Sequence, residues 1–125
     1  MWQQFAVVGI GGALGAMARY GVSLACLRAM PNFPLGTLVV NVIGCFALGL
    51  LMAWVDVRSE FPPTAKLFLG VGILGAFTTF STFGVETIDL LREKETARAL
   101  LSVLANVALG LAAVMAGRGL AKVWG

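Results

Sequence analysis

The chain has 125 residues, of which 59% are hydrophobic and only 12% charged, with a net charge of +3. Soluble domains carry about 25% charged residues, and a small domain has too little interior to hide this much apolar surface, so the composition excludes a water-soluble globule and predicts an all-α integral membrane protein. With no histidine and six acids, metal clusters and His-based acid–base chemistry are largely excluded; no enzyme is expected, and no basic run is long enough to bind nucleic acid.

A membrane-spanning helix needs about 20 mostly apolar residues. Four segments qualify, residues 5–27, 37–55, 67–91 and 97–123, forming one four-helix transmembrane domain. The opening Met-Trp-Gln-Gln places no Lys or Arg ahead of the first apolar run. That run therefore reads as a retained membrane helix rather than a signal peptide. The connectors are short and carry helix breakers: Pro31 and Pro34, then Pro62 and Pro63, then a charged turn over residues 92–96.

In the first segment, Gly11 and Gly15 make a small-xxx-small pattern. Such a face lets helices approach closely in lipid, and it serves packing within one chain or between chains equally well. Cys26 and Cys45 match no zinc or redox spacing and read as small buried hydrophobes. Arg19 lies well inside the apolar run. A central arginine costs about 2.5–3.5 kcal/mol on insertion scales, so Arg19 either snorkels to the interface or faces a water-filled vestibule, where it would attract anions.

In the second segment, Thr37, Asn41 and Gly44 fall on one helical stripe. Asn41 has two N–H donors and one acceptor, and burying them unpaired in hydrocarbon is costly. The residue is either an interhelical hydrogen bonder or a pore-lining donor.

The third segment holds the densest pattern, residues 70–86. Gly70, Gly72 and Gly75 weaken helix. Thr78, Thr79, Ser81 and Thr82 can bond to backbone and loosen it further. Together they predict a helix interrupted near mid-membrane. Non-helical backbone survives there only when buried in protein or lining a cavity. Freed carbonyls can then hold a small cation, and freed N–H groups and hydroxyls can solvate an anion. Phe80 and Phe83 interleave the hydroxyls. Their ring edges are electropositive, although lipid-facing or core positions are the commoner use of membrane phenylalanine. Glu86 is the deepest acid of the segment, and an intramembrane acid is a functional candidate by default. Asp89 and Glu93 read as interfacial.

The fourth segment places Ser102 and Asn106 one turn apart, extending a polar track that then gives way to Gly110, Ala113 and Gly117. Alternating helices put Arg58, Lys66, Arg118 and Lys122 on one side, and Arg28, Arg92, Lys94 and Arg98 on the other. The bias that normally orients a membrane chain is almost nil. The balance predicts insertion in both orientations and an antiparallel dual-topology homodimer, in which any off-axis pore occurs twice.

These residues resemble, over essentially the whole length, the Fluc (CrcB) family of small bacterial fluoride channels. The resemblance is carried by the Gly-Gly-x-x-Gly and Arg19 of the first segment, by Gly36-Thr37-Leu38-x-Val40-Asn41, and by Gly75-x-x-Thr78-Thr79-Phe80-Ser81-Thr82-Phe83-x-x-Glu86. It implies passive, selective export of fluoride from the cytoplasm across the bacterial inner membrane, through two pores of an antiparallel dimer. It implies that Phe80 and Phe83 present ring edges to the pores, that Asn41 contacts fluoride, and that Thr37, Thr79, Ser81, Thr82, Glu86 and Ser102 lie near the pathway. It further implies an Arg19-lined vestibule, and a structural sodium ion held at the dimer centre by the carbonyls of Gly75 and Thr78. In one departure, Gly110 and Val114 stand where members often carry Ser or Thr.

Two other readings compete. A proton-coupled small multidrug exporter is also four-helical and dual-topology, but needs an embedded carboxylate, for which Glu86 is the sole candidate. An accessory subunit without transport gives no reason for hydroxyls and Asn41 at mid-membrane.

Overall fold

A computed structural model describes residues 1–124, and all its regular structure is helical. The helices are α1 (Trp2–Ala29), α2 (Leu35–Val57), α3 (Pro63–Lys66), α4 (Gly75–Phe77), α5 (Phe80–Arg92) and α6 (Thr96–Trp124), with a π-helical segment, Leu67–Leu74, between α3 and α4. Four stretches are long and apolar enough to cross a membrane: α1, α2, the 30 residues Pro63–Arg92, and α6. The chain is a multi-pass membrane protein, and each span runs somewhat past the limits expected from hydropathy.

The breaks fall where backbone chemistry requires. Met30 leaves helical geometry (φ −138°, ψ 82°) directly before Pro31, because a proline disfavours the α region in the residue it follows. Pro63 opens α3 at its first turn, where a missing N–H costs nothing. At the end of α5, the N–H of Lys94 donates to Leu91 O (3.1 Å) and that of Glu95 to Leu90 O (2.8 Å). This pair of bonds closes the helix with a left-handed residue, here Lys94 at φ 60°.

The glycine run behaves differently from the expectation of a break. Gly70 and Gly72 sit in a widened but hydrogen-bonded π-helical stretch, and the N–H of Gly75 returns to Gly70 O. The backbone departs from helix directly after α4, at Thr78 (φ −84°, ψ 159°) and Thr79 (φ −152°, ψ 120°). Local hydroxyl bonding decides the position. The Thr78 hydroxyl donates to Leu74 O (3.1 Å), and the Thr79 Oγ1 accepts the N–H of Thr82 (3.2 Å), which starts α5.

Two seams hold the chain together: α2 along α6, and α1 against the π-helical segment. Both depend on backbone meeting backbone. A Cβ on Gly15 would strike the carbonyl of Ile73, and one on Gly117 would strike that of Phe46. Few apolar side chains are buried in a single copy; among the described residues they are Val40, Leu51, Ala53, Ala99 and Ala121. The outer faces carry many exposed large apolar side chains, as lipid or another protein surface requires, with Ser81 and Thr82 of α5 as exposed polar exceptions.

Gly15→Ala is expected to lower stability by about 1–3 kcal/mol, the usual cost of forcing a well-packed contact apart. Gly9→Ala, where a Cβ meets nothing within 4 Å, should be neutral or stabilising by up to about 1 kcal/mol from helix propensity. Thermal unfolding in detergent, followed by tryptophan fluorescence, separates the two; equal melting would show that the α1 seam is not backbone-limited.

Candidate functional site

The stripe predicted on α2 faces the third span along its length. Thr37, itself buried, donates its hydroxyl to Glu86 Oε1 at 2.9 Å. One turn on, Asn41 meets Thr79, and beyond it a Cβ on Gly44 would strike the Thr78 side chain. Three positions of one helical face thus read three successive parts of the opposing chain.

The centre of the site is a two-point bond between a side chain and a peptide. Asn41 Oδ1 accepts the N–H of Thr79 (2.8 Å), and Asn41 Nδ2 donates to the carbonyl of Thr79 (3.1 Å). The second N–H of Asn41 goes to Asn106 Oδ1 (2.9 Å) on α6, and Asn106 Nδ2 donates back to Ser102 O (2.8 Å). Both donors of Asn41 are therefore occupied, and the interhelical bond expected of a membrane asparagine is present. Ser102 is 1% exposed; its part in this network is its carbonyl. The sequence sets Asn106 beside Ser102 on a polar track but gives it no role. The one-turn spacing of two polar residues in an apolar helix is the signal that could have found it.

Thr79, 7% exposed, caps α5. Its Oγ1 donates to Thr82 Oγ1 (3.0 Å) and lies 3.5 Å from Ser81 Oγ. Hydroxyls and helix-start N–H groups are gathered at one point, where the helix dipole favours negative charge. Phe80 and Phe83 follow with ring centroids 5.6 Å apart and planes tilted by 50°. Phe80 is 83% exposed, so its ring stands on an open face of the single chain.

These groups border a groove of about 290 Å³, lined by Asn41, Thr78, Thr79, Phe80, Phe83 and Asn106, with Cys45, Val107 and Val114 continuing it as an apolar wall. A second groove of about 300 Å³ lies between the α1–α2 connector and the end of α5, lined by Glu86, Asp89, Glu93 and Arg98 among others. Glu86 stands between the polar seam and this second groove: Oε1 is held by Thr37, while Oε2 is shielded from solvent with no hydrogen-bond partner among the described residues. Arg19 lines neither groove, is half-buried, and makes no ion pair among the described residues.

The carbonyls of Gly75 and Thr78 are also placed by this chemistry. In a continuous helix they would accept from Thr79 and Thr82. Here the N–H of Thr79 is turned to Asn41 and that of Thr82 to Thr79 Oγ1. Both carbonyls are thus released, that of an exposed Gly75 and that of a half-buried Thr78. Neutral carbonyl oxygens suit a small hard cation, and the described residues contain no Cys, Asp or Glu cluster that would compete for a metal. One chain offers only two such oxygens from these positions, so a closed cation cage needs a second set.

The fold and site define a class: a small, all-α, four-span membrane protein whose polar groups are gathered at a non-helical turn inside an apolar span. Residues 6–118 match the family model described as CrcB-like protein, Camphor Resistance (CrcB). The chain is 44% identical over 119 residues to the fluoride-specific ion channel FluC of Methylobacterium nodulans, covering 95% of this chain and 96% of the relative. It is 50% identical over 119 residues to that of Paracoccus denitrificans (94% and 93% covered), and 48% identical over 113 residues to that of Idiomarina loihiensis (90% and 87%). The chain belongs to the CrcB-like family.

Thr79→Val removes the cap of α5 and should cost about 0.5–2 kcal/mol, whereas Thr79→Ser keeps the acceptor and should melt close to the parent. Circular dichroism melts of the two variants in detergent give the comparison, and a Val variant as stable as the Ser variant would show that the hydroxyl does not hold the turn.

Proposed function

We propose that this protein is a fluoride-selective channel through which fluoride leaves the cytoplasm passively, and that it resides in the cytoplasmic membrane of a bacterium. The observation that carries the reading is the match, over nearly the whole chain, to relatives named fluoride-specific ion channels, joined to a neutral polar seam at the turn between α4 and α5. Fluoride is small and strongly hydrated, so it needs donors that replace its water. The seam offers amides and hydroxyls from Asn41, Thr37, Thr79, Ser81 and Thr82, and ring edges from Phe80 and Phe83. Glu86 and Ser102 border the route, and Arg19, which lines neither groove of the single chain, would act as a longer-range attractor of anions toward it. The relatives named above are ion channels, which supports a channel over an exporter or an enzyme.

The working unit in this proposal is an antiparallel, dual-topology homodimer with two pores. Near-equal positive charge on the two sides supports it, as does the exposure of Phe80, Ser81 and Thr82 on a single copy. We place the extended Thr78–Thr79 turn near mid-membrane, as an interruption of the third helix. The paired carbonyls of Gly75 and Thr78 from two copies would hold a sodium ion at the centre, supplying a fixed positive charge that ties the two turns together.

Vesicles loaded with potassium fluoride and made permeable to potassium should release fluoride rapidly, as read by a fluoride electrode, while chloride-loaded vesicles hold their anion. Absence of release from verified, folded protein would overturn the channel. In the same assay Phe80→Ile and Phe83→Ile are each expected to lower flux at least tenfold without dissociating the dimer; parental rates would return both rings to ordinary packing.

Exhaustive removal of sodium should abolish fluoride release and its restoration should recover it. Indifference to sodium would count against the central cation.

A further inference from the structure

The structure assigns Asn106 a specific role, that of a positioning residue whose carbonyl occupies the second N–H of Asn41 and gives way when an anion arrives there. The inference rests on the fluoride-channel reading and names a part of the site that the reading leaves open.

The oxygen and nitrogen positions of both amides are dictated by their partners. Asn41 must turn its oxygen to the N–H of Thr79 and its nitrogen to the carbonyl of Thr79, since the opposite placement would set donor against donor and acceptor against acceptor. The remaining N–H of Asn41 then points across to α6, where Asn106 Oδ1 receives it at 2.9 Å. Asn106 is oriented in turn by Ser102 O, which takes one N–H of its nitrogen at 2.8 Å. The chain of bonds runs Ser102, Asn106, Asn41, Thr79. It ties α6 and α2 to the turn between α4 and α5.

Of the four hydrogen-bonding contacts made by the Asn41 and Asn106 amides, that between the two side chains is the one an anion can take over without disturbing backbone. The two bonds of Asn41 to Thr79 hold a peptide, and the bond of Asn106 to Ser102 lies within α6. Both side chains line the groove that also contains Phe80 and Phe83. An oxygen that accepts from Asn41 marks a place where another acceptor can sit. An anion there forms a charge-assisted bond, stronger than the neutral amide pair it replaces. Asn106 retains a second N–H with no partner among the described residues, so the residue that yields its oxygen also brings a donor. The exchange keeps Asn41 partnered before, during and after passage. This matters beside a wall that continues as Leu48, Val107 and Val114, whose side chains offer Asn41 no other acceptor.

Asn106→Asp and Asn106→Leu, reconstituted beside the parent, test the assignment. The Asp variant keeps the shape and replaces the neutral acceptor by a titratable one; the groups near it that titrate are Cys45 in the same groove and Glu86 one turn along the seam, so every rate is taken as a ratio to the parent at the same pH, after subtracting the leak of protein-free vesicles. At pH 8 the carboxylate should hold Asn41 and repel the anion, with fluoride flux at least tenfold below the parent. Between pH 8 and pH 5.5 the ratio should climb severalfold as the carboxyl protonates, a reversal that a merely structural defect does not produce. The Leu variant, with no acceptor or donor, should stay at least tenfold slow at every pH while eluting as the parent does in detergent. A ratio for the Asp variant that is flat with pH, or a Leu variant at the parental rate, overturns the role of Asn106. Failure of the parent itself to move fluoride would instead overturn the channel reading.

Discussion

Inside a membrane every peptide group must find a partner within the protein, and the Thr79 peptide is where that requirement shapes this chain. Thr78 and Thr79 are extended, so the ladder of helical bonds stops. Asn41 then supplies in one side chain the donor and the acceptor that the helix no longer provides. An interhelical hydrogen bond in lipid contributes only about 0.6 kcal/mol on average, whereas a buried polar group left unpaired costs about 1–3 kcal/mol. The avoided penalty, applied to both halves of a peptide, therefore outweighs the bond energy itself. It makes the turn and Asn41 mutually dependent: neither is tolerable alone where the Thr79 peptide is buried.

Several properties of the site follow from that one pairing. Drawing the N–H of Thr79 to Asn41 releases the Gly75 carbonyl, and using Thr79 Oγ1 as a cap releases that of Thr78. Restarting the helix at Phe80 creates a new N-terminus among hydroxyls. A single substitution of helix by turn therefore yields acceptors on one side and donors on the other. Cation and anion chemistry are set side by side without a formal charge at the turn itself. The single chain also leaves much of this uncovered. It exposes 8056 Å², whereas a compact soluble protein of 13.1 kDa exposes about 6,400 Å². Lipid accounts for apolar excess, but not for Phe80 standing 83% exposed beside Ser81 and Thr82. Their exposure is what supports the dimer proposed above, in which a second copy would cover them.

Much of this was legible in the amino acids. Composition and apolar run length gave the four spans, since those depend on transfer energies summed over some 20 residues and are insensitive to detail. The stripe of Thr37, Asn41 and Gly44 followed from helical periodicity alone, and it meets the third span as a stripe should. The location of the turn was less legible. Three glycines marked the region as weak helix, yet glycine lowers propensity without saying where bonds are lost, and here Gly70 and Gly72 are absorbed into a wider helical turn. The departure was decided by the threonines, whose hydroxyls bond to neighbouring backbone. Partners were the least legible: periodicity shows which residues share a face, but not that the face of Asn41 looks toward Asn106, because that depends on the rotation of α6 about its axis.

The occupied state of Asn41 bears on how an anion pathway can be both selective and fast. Free, fixed donors in a dry groove would bind a strongly hydrated anion tightly and release it slowly. Conduction needs sites favourable enough to enter and weak enough to leave. When a donor is already paired with a neutral acceptor, an arriving anion gains only the difference between a charge-assisted bond and an ordinary one. An anion with weaker hydrogen bonding gains less than the amide it displaces and is turned away. Pairing thus lowers the depth of the well and raises the contrast between anions together. A seam in which the donors of Asn41 are already paired with neutral acceptors, rather than a cluster of open donors or a lysine, has the form this compromise requires.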